Sequence, residues 1–321
     1  MVCAQPFTAI EIDTLGDVYT CCPSFVNFYK IGNIWENSPD EIWTGEKITE
    51  LRRRVLNEDY SLCNLDLCRQ RQSLNIKQID LSNVLLPQYI TLAYDKECNL
   101  KCITCRDEKY QNSTEQIELY NNKIDKLLLP LIKEAKIIAL SGSGEALYSR
   151  HSRLLIKKLA QINKHIMFNI NTNGILFNKR NCEELGIYGR INEVFISLPA
   201  IDRKIYNEIM IGSNYDVVIE NTKMAAIDKN FGKITLNMVV SVLNYKEIPL
   251  VAEFAKSNNI WLTVSQFCHW GTKFGKDYKE VAVWDESHKD FNKFQNILKS
   301  PVLNYEKIFM SPLFKRIQKG E

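Results

Sequence analysis

Between residues 85 and 275 the chain alternates between two hydrophobic rhythms. Short runs rich in β-branched and aromatic residues fall at 89–94, 137–140, 166–170, 194–198, 234–240 and 261–264. Such runs mark strands buried on at least one face. Between them lie amphipathic or helix-favouring stretches at 116–129, 154–163, 183–185, 205–207 continuing into 216–227, and 248–257. Six strands separated by helices predict an α/β fold whose parallel sheet has right-handed crossovers, closed or partly closed as a barrel. A doubly wound sheet has the same rhythm, so periodicity leaves the two open. Residues 286–300 read as a further amphipathic helix in a C-terminal tail.

Polar and small residues interrupt this pattern at one recurring place. A three-cysteine loop follows the first run, Gly142-Ser143-Gly144-Glu145 the second, and Asn171-Thr172-Asn173-Gly174 the third. Ser197 closes the fourth, Ser241 follows the fifth, and residues 266–270 follow the sixth. These are the carboxyl ends of the predicted strands, where α/β barrels build their active sites.

Composition narrows the class without naming a chemistry. With 321 residues, 45% hydrophobic and 25% charged, the chain has the make-up of a soluble globular protein of one large domain or two. Lys and Arg number 41 against 38 Asp and Glu, a net charge of +3, which gives no global electrostatic case for nucleic acid or an anionic membrane. The local basic block Arg52-Arg53-Arg54 reads as a solvated helix face. The first residues lack the features of a secretory signal, and no apolar stretch is long enough to span a bilayer. The expected location is cytoplasmic, where ten cysteines stay reduced and clustered thiols read as metal ligands.

Cys98, Cys102 and Cys105 are spaced C-x3-C-x2-C directly after the first apolar run. Three thiolates on one loop can hold three irons of a [4Fe–4S] cluster and leave the fourth open, whereas a cluster built for electron storage normally has four cysteines. A zinc knuckle is the alternative, but zinc wants four ligands and no histidine lies near this loop. In its context, Tyr94-Asp95-Lys96-Glu97-Cys98-Asn99-Leu100-Lys101-Cys102-Ile103-Thr104-Cys105-Arg106, the spacing resembles the signature of the radical S-adenosylmethionine (radical SAM) superfamily. That resemblance implies a partial (β/α)6 TIM-type barrel and a [4Fe–4S] cluster that binds S-adenosylmethionine at its open iron. One electron then releases methionine and a 5′-deoxyadenosyl radical that abstracts hydrogen from a substrate. It further implies that Gly142, Ser143, Gly144 and Glu145 stand for the family's Gly-Gly-Glu element, Glu145 accepting from the methionine ammonium group. Thr104 falls at the position beside the adenine, and Asn173 and Ser197 are expected to contact the ribose or the methionine carboxylate.

A second cysteine group, Cys3-x12-Gly16-x4-Cys21 with Cys22 adjacent and Cys63-x4-Cys68, resembles the auxiliary-cluster pattern of SPASM and twitch domains. The resemblance implies a hairpin around Gly16–Thr20 and a closed cluster on Cys3, one of Cys21 or Cys22, Cys63 and Cys68, serving electron transfer. A structural zinc site is the alternative. Cys182 reads as a small buried hydrophobe. Cys268, beside His269 and Trp270 at the expected reactive face, is a candidate hydrogen donor to a substrate radical, and His269 a candidate base.

The expectation is therefore a radical SAM enzyme with an auxiliary [4Fe–4S] domain over residues 1–80, a barrel over 81–275 and a helical tail over 276–321. Its substrate is a peptide or protein, or a carbohydrate or small molecule. Its electron donor is a protein such as flavodoxin or ferredoxin, and neither nucleic acid nor membrane is a partner. The competing class is an iron–sulfur electron carrier or a zinc-stabilised binding protein.

Overall fold

The computed structural model describes residues 2–65, 68, 73–74, 84–140, 143–269 and 271–321, grouped in two compact units. The first comprises Met1–Glu97, Gln111–Asn169 and Leu185–Ile187. Its strands are β1 (Val2–Cys3), β2 (Ala9–Ile12), β3 (Asp17–Tyr19), β4 (Gly32–Asn33), β5 (Ser73–Leu74), β6 (Tyr89–Leu92) and β7 (Ile137–Leu140). β1 pairs antiparallel with β5. The others run in the order β7-β6-β2-β3-β4, with β7, β6 and β2 parallel and β3 and β4 antiparallel. The β2–β3 turn needs Gly16, which has φ +82° and lies against Trp35, whose indole Nε1 would be 2.2 Å from an added Cβ.

The pairing of β2 with β6 places Ile10 beside Ile90 and Ile12 beside Leu92. Both N-terminal isoleucines are fully buried, and so are Val18, Ile90 and Ile138. Burying side chains of this size contributes roughly 1.5–3 kcal/mol each. The helix Arg150–Ile162 buries Leu155, Ile156 and Leu159, and Ser149 caps it by accepting from Ser152 N–H. The expected helix 116–129 is Thr114–Lys123, followed by a π turn at Ile124–Leu128 and a short helix Leu129–Ile132. The π turn ends two residues before Pro130, which has no N–H to place in the ladder. The helix Glu46–Leu56 corrects one expectation: Arg52 does not lie on a solvated face but is buried with Ile48, Leu51 and Val55.

β8 (Met167–Thr172) carries the chain from the first unit into the second, which comprises Cys98–Tyr110, Ile170–Glu184 and Tyr188–Glu321. There β9 (Ile191–Ser197), β10 (Lys233–Val240), β11 (Trp261–Gln266) and β12 (Ile308–Met310) lie side by side and parallel. One face, with Val194, Ile196, Leu236, Met238, Leu262 and Val264, is fully buried. The helix Ile248–Ser257 packs against β10 and β11 through its buried residues Ile248, Val251, Ala252 and Ala255. The α/β pattern of parallel strands and helices read from the sequence is met, and the tail is helical. Its helix is shorter than 286–300, running only Phe291–Leu298, because Asp285 folds the preceding residues into a turn by accepting from Ser287 N–H at 2.9 Å. Among the described residues no helix is long and apolar enough to cross a membrane.

Candidate active site

The cysteine loop belongs to the second unit and is held by its backbone. Cys98 N–H donates to Tyr110 O at 3.2 Å and closes the loop's base. Lys101 N–H and Ile103 N–H each donate at 3.1 Å, to Ile211 O and Ile209 O. A tight turn, with Cys105 N–H and Arg106 N–H both on Cys102 O at 3.0 Å, brings the last two cysteines together. Cys98 Sγ accepts from Leu100 N–H at 3.4 Å, Arg106 Nη2 stands 3.6 Å from Cys105 Sγ, and Cys102 Sγ lies 3.5 Å from Met210 Sδ. Burial first, then the neighbouring Cys105 and Cys98, pushes the Cys102 thiol up to about 12. Thr104 lies half-buried in the same turn. Asn173, buried just past β8, donates from Nδ2 to Asn99 Oδ1 at 2.8 Å.

In the first unit a second network holds the residues that lead into this loop. Asp95 accepts from Glu97 N–H (3.1 Å), Asn112 Nδ2 (2.9 Å), Ser149 Oγ and Ser152 Oγ (2.5 Å each). Glu97 accepts Arg150 N–H on its carboxylate at 3.0 Å and Glu145 N–H on its carbonyl at 2.9 Å. Gly144 lies flat against this backbone: an added Cβ would stand 2.5 Å from Asp95 O and 2.7 Å from Glu97 O. Glu145 is buried and Ser143 half-buried. Gly142 lies outside the described residues.

The auxiliary cysteines also converge. Cys63 N–H donates to Tyr60 O and Cys68 N–H to Asn64 O, two tight turns. The Cys21 thiol is pushed up by burial and then by Cys3, Cys63, Cys68 and, last, its neighbour Cys22. Burial also raises Cys3, and raises Cys63 to about 11. Cys22 Sγ instead lies 3.2 Å from Ser24 Oγ. Mutual crowding of thiols suits a cationic iron–sulfur core, which replaces their protons and cancels their repulsion. The thiols are gathered rather than aimed: among the described residues no group of three or more His, Cys, Asp or Glu side chains is set to hold a metal ion. Crowded thiols with a backbone N–H on Cys98 Sγ fit a cluster in donor type and number.

One face of β9 to β11 carries a feature that hydrophobic runs alone did not single out. Ser197, Asn237 and Thr263 stand in register across the three strands, with Ser265 one step on, all half-buried. They occupy the face opposite the buried apolar one. The signal was the period-two placement of polar residues within Lys233–Val240 and Trp261–Gln266, which a parallel strand buried on both faces would lack. Gln266 Oε1, at the end of β11, and Thr272 Oγ1, in the loop after it, are buried with no hydrogen-bond partner among the described residues. Cys268 is exposed there, 4.0 Å from Gln266 O, and His269 Nε2 lies 3.2 Å from Thr272 O. Trp270 lies outside the described residues. Cys182 is fully buried, as expected.

Residues 3–69 match the SPASM iron–sulfur cluster-binding domain, and residues 96–255 match the radical SAM superfamily. Among curated proteins, GTP 3′,8-cyclase of Helicobacter pylori (strain HPAG1) is 28% identical over 206 residues, 61% of this chain and 61% of that protein. The probable GTP 3′,8-cyclase of Methanocaldococcus jannaschii is 26% identical over 188 residues, 56% of this chain and 58% of that protein. The chain thus spans about three-fifths of the length of the curated relatives it matches. Among solved structures, SuiB of Streptococcus suis bound to S-adenosylmethionine aligns with TM-score 0.46 and 16% identity, over 98% of this chain and 74% of that one.

Proposed function

The chain belongs to the radical SAM superfamily and carries a SPASM iron–sulfur cluster-binding domain, and from that premise we propose that it is an enzyme whose Cys98, Cys102 and Cys105 hold the cluster that binds S-adenosylmethionine. The observation that carries the assignment is the convergence of these three thiols on one backbone-anchored loop. The bound pair supplies a 5′-deoxyadenosyl radical able to take hydrogen from an unactivated C–H bond. The residues of the chain position, shield and bind. Asp95 and Glu97 fix the backbone entering the loop, and Asn173 fixes Asn99 within it. Gly144 and Glu145 receive the methionine part of the cofactor, with Glu145 accepting from its ammonium group. Gln266 Oε1 and Thr272 Oγ1 hold out two buried polar atoms for a bound molecule. Ser197, Asn237, Thr263 and Ser265 offer the substrate an uncharged row of donors and acceptors. Cys268 donates a hydrogen atom to the substrate radical, its S–H bond breaking to leave a thiyl radical that one electron from the external donor and one proton from solvent return to the thiol.

The auxiliary cluster takes Cys3, Cys21, Cys63 and Cys68. Cys21 is favoured over Cys22 because the other three cysteines crowd it while Cys22 turns to Ser24. A closed cluster of four thiolates suits electron transfer. The external electron donor is a low-potential protein such as flavodoxin or ferredoxin. The substrate is a peptide, a sugar or another small molecule. A second reading, cyclisation of GTP, is favoured by the names of the curated relatives.

The test is anaerobic. Protein reconstituted with iron and sulfide is given S-adenosylmethionine and dithionite, with and without GTP, and followed for 5′-deoxyadenosine. Formation is expected in the wild type and is lost when Cys98, Cys102 and Cys105 become alanine. Consumption of GTP coupled to 5′-deoxyadenosine selects the second reading. Iron-replete protein that forms none under any of these conditions counts against the enzyme and for an electron carrier.

A further inference from the structure

Arg52 is a buried charge with no counter-charge among the described residues. It is 2% exposed on the helix Glu46–Leu56. Its Nε–H donates to Pro6 O at 2.9 Å and its Nη1–H to Trp43 O at 2.8 Å. The guanidinium lies 4.4 Å from the Trp43 ring centre and 6.0 Å from that of Phe7. Nη2 is buried with no hydrogen-bond partner among the described residues. Burial lowers its pKa to about 10, which leaves it charged at neutral pH. A buried cation served only by carbonyls and rings is costly unless an anion compensates it. A methionine would fill the same space without that cost, so an anion within reach is the physical expectation.

The neighbourhood names one. Gln5 N–H bonds the Cys3 thiol, and Pro6, the next residue, supplies the carbonyl that holds Arg52 Nε. The Arg52 helix also packs against β1, which ends at Cys3. This chain of contacts sets the Arg52 helix beside the segment that carries Cys3. Four thiolates around an iron–sulfur core form a net anion, and each electron added makes it more negative. Pro6 and Phe7, beside the guanidinium, are buried, so its field is only partly screened by water.

We propose that Arg52 is a positioning residue for the auxiliary cluster, compensating its negative charge and so favouring its reduced form. The inference rests on the auxiliary cluster proposed above. Arg52 touches neither substrate nor thiol; it acts through the field it sets at Cys3. Removing the positive charge should make reduction harder, while changing its shape alone should not.

The experiment uses the full chain with Cys98, Cys102 and Cys105 replaced by alanine, so that the auxiliary cluster alone is read. The cluster is titrated with dithionite and mediator dyes and its reduced form followed by electron paramagnetic resonance. At the potential where this parent is half reduced, Arg52→Gln and Arg52→Met should lower the reduced-to-oxidised ratio about tenfold, a 59 mV negative shift for one electron. Arg52→Lys should stay within threefold of the parent. Gln retains donors for the two carbonyls, so it reports on charge even where Met fails to fold. An unshifted midpoint in a cluster-replete Gln variant overturns the proposal, as does a Lys variant that shifts as far as Gln. If all three variants lose the cluster while the parent keeps it, Arg52 is a packing residue and the proposal falls. A parent that binds no iron fails the auxiliary-cluster reading itself, a different result from a cluster indifferent to Arg52.

Discussion

Gly144 sits where a side chain has no room, because two backbone carbonyls that cannot swing aside face it. Gly144→Ala should therefore push the turn away from Asp95 and Glu97, costing about 1–3 kcal/mol. S-adenosylmethionine binding, measured by equilibrium dialysis, should weaken at least tenfold with iron content unchanged. His151 gives a pH-dependent prediction. It is buried, takes a hydrogen bond on Nε2 from Tyr94 O–H and donates from Nδ1 to Asn121 Oδ1, both at 2.8 Å. Burial lowers its pKa to about 4, with Asp95 opposing. Below pH 6.5 the unfolded chain gains a proton that the folded one refuses. Stability present above 6.5 is thus lost as pH falls toward 4, by on the order of 3 kcal/mol. Urea midpoints of the wild type should fall across that window, and those of His151→Gln should fall less steeply.

At the scale of elements, the two faces of β10 make opposite predictions from adjacent residues. Leu236 is fully buried, whereas Asn237 is half-buried in register with Ser197 and Thr263. Leu236→Asn should cost about 3–5 kcal/mol by burying an unpaired amide. Asn237→Leu should stay within about 1 kcal/mol of the wild type in urea. If the row binds substrate, the second variant raises KM and the first lowers the yield of folded protein. Both faces were written in the period-two alternation of Lys233–Val240, and the strands of the repeating α/β pattern were legible for the same reason. β2 and β12 were not legible. Each is three or four residues long, too short for periodicity, and each is a strand because of the neighbour it pairs with. The tail helix was overrun at its start because Asp285 and Ser287 prefer their own turn.

For the whole molecule, the expected composition is two iron–sulfur clusters on one chain. Reconstituted protein should hold about eight irons. Cys21→Ala should hold about four and Cys22→Ala about eight, by colorimetric iron assay against protein concentration. The reverse result for the adjacent pair would exchange their roles. The sequence alone determined the strand-helix alternation, the three-cysteine loop and the existence of a second cysteine group, because spacing and periodicity are local properties of a chain. It left open which of Cys21 and Cys22 turns toward the other thiols, and it misjudged Arg52 as solvated. Only the tertiary structure decided these, since adjacent residues in one turn differ solely in what the rest of the chain packs against them. Ser24 stands beside Cys22, three distant cysteines crowd Cys21, and Pro6 and Trp43 close over Arg52.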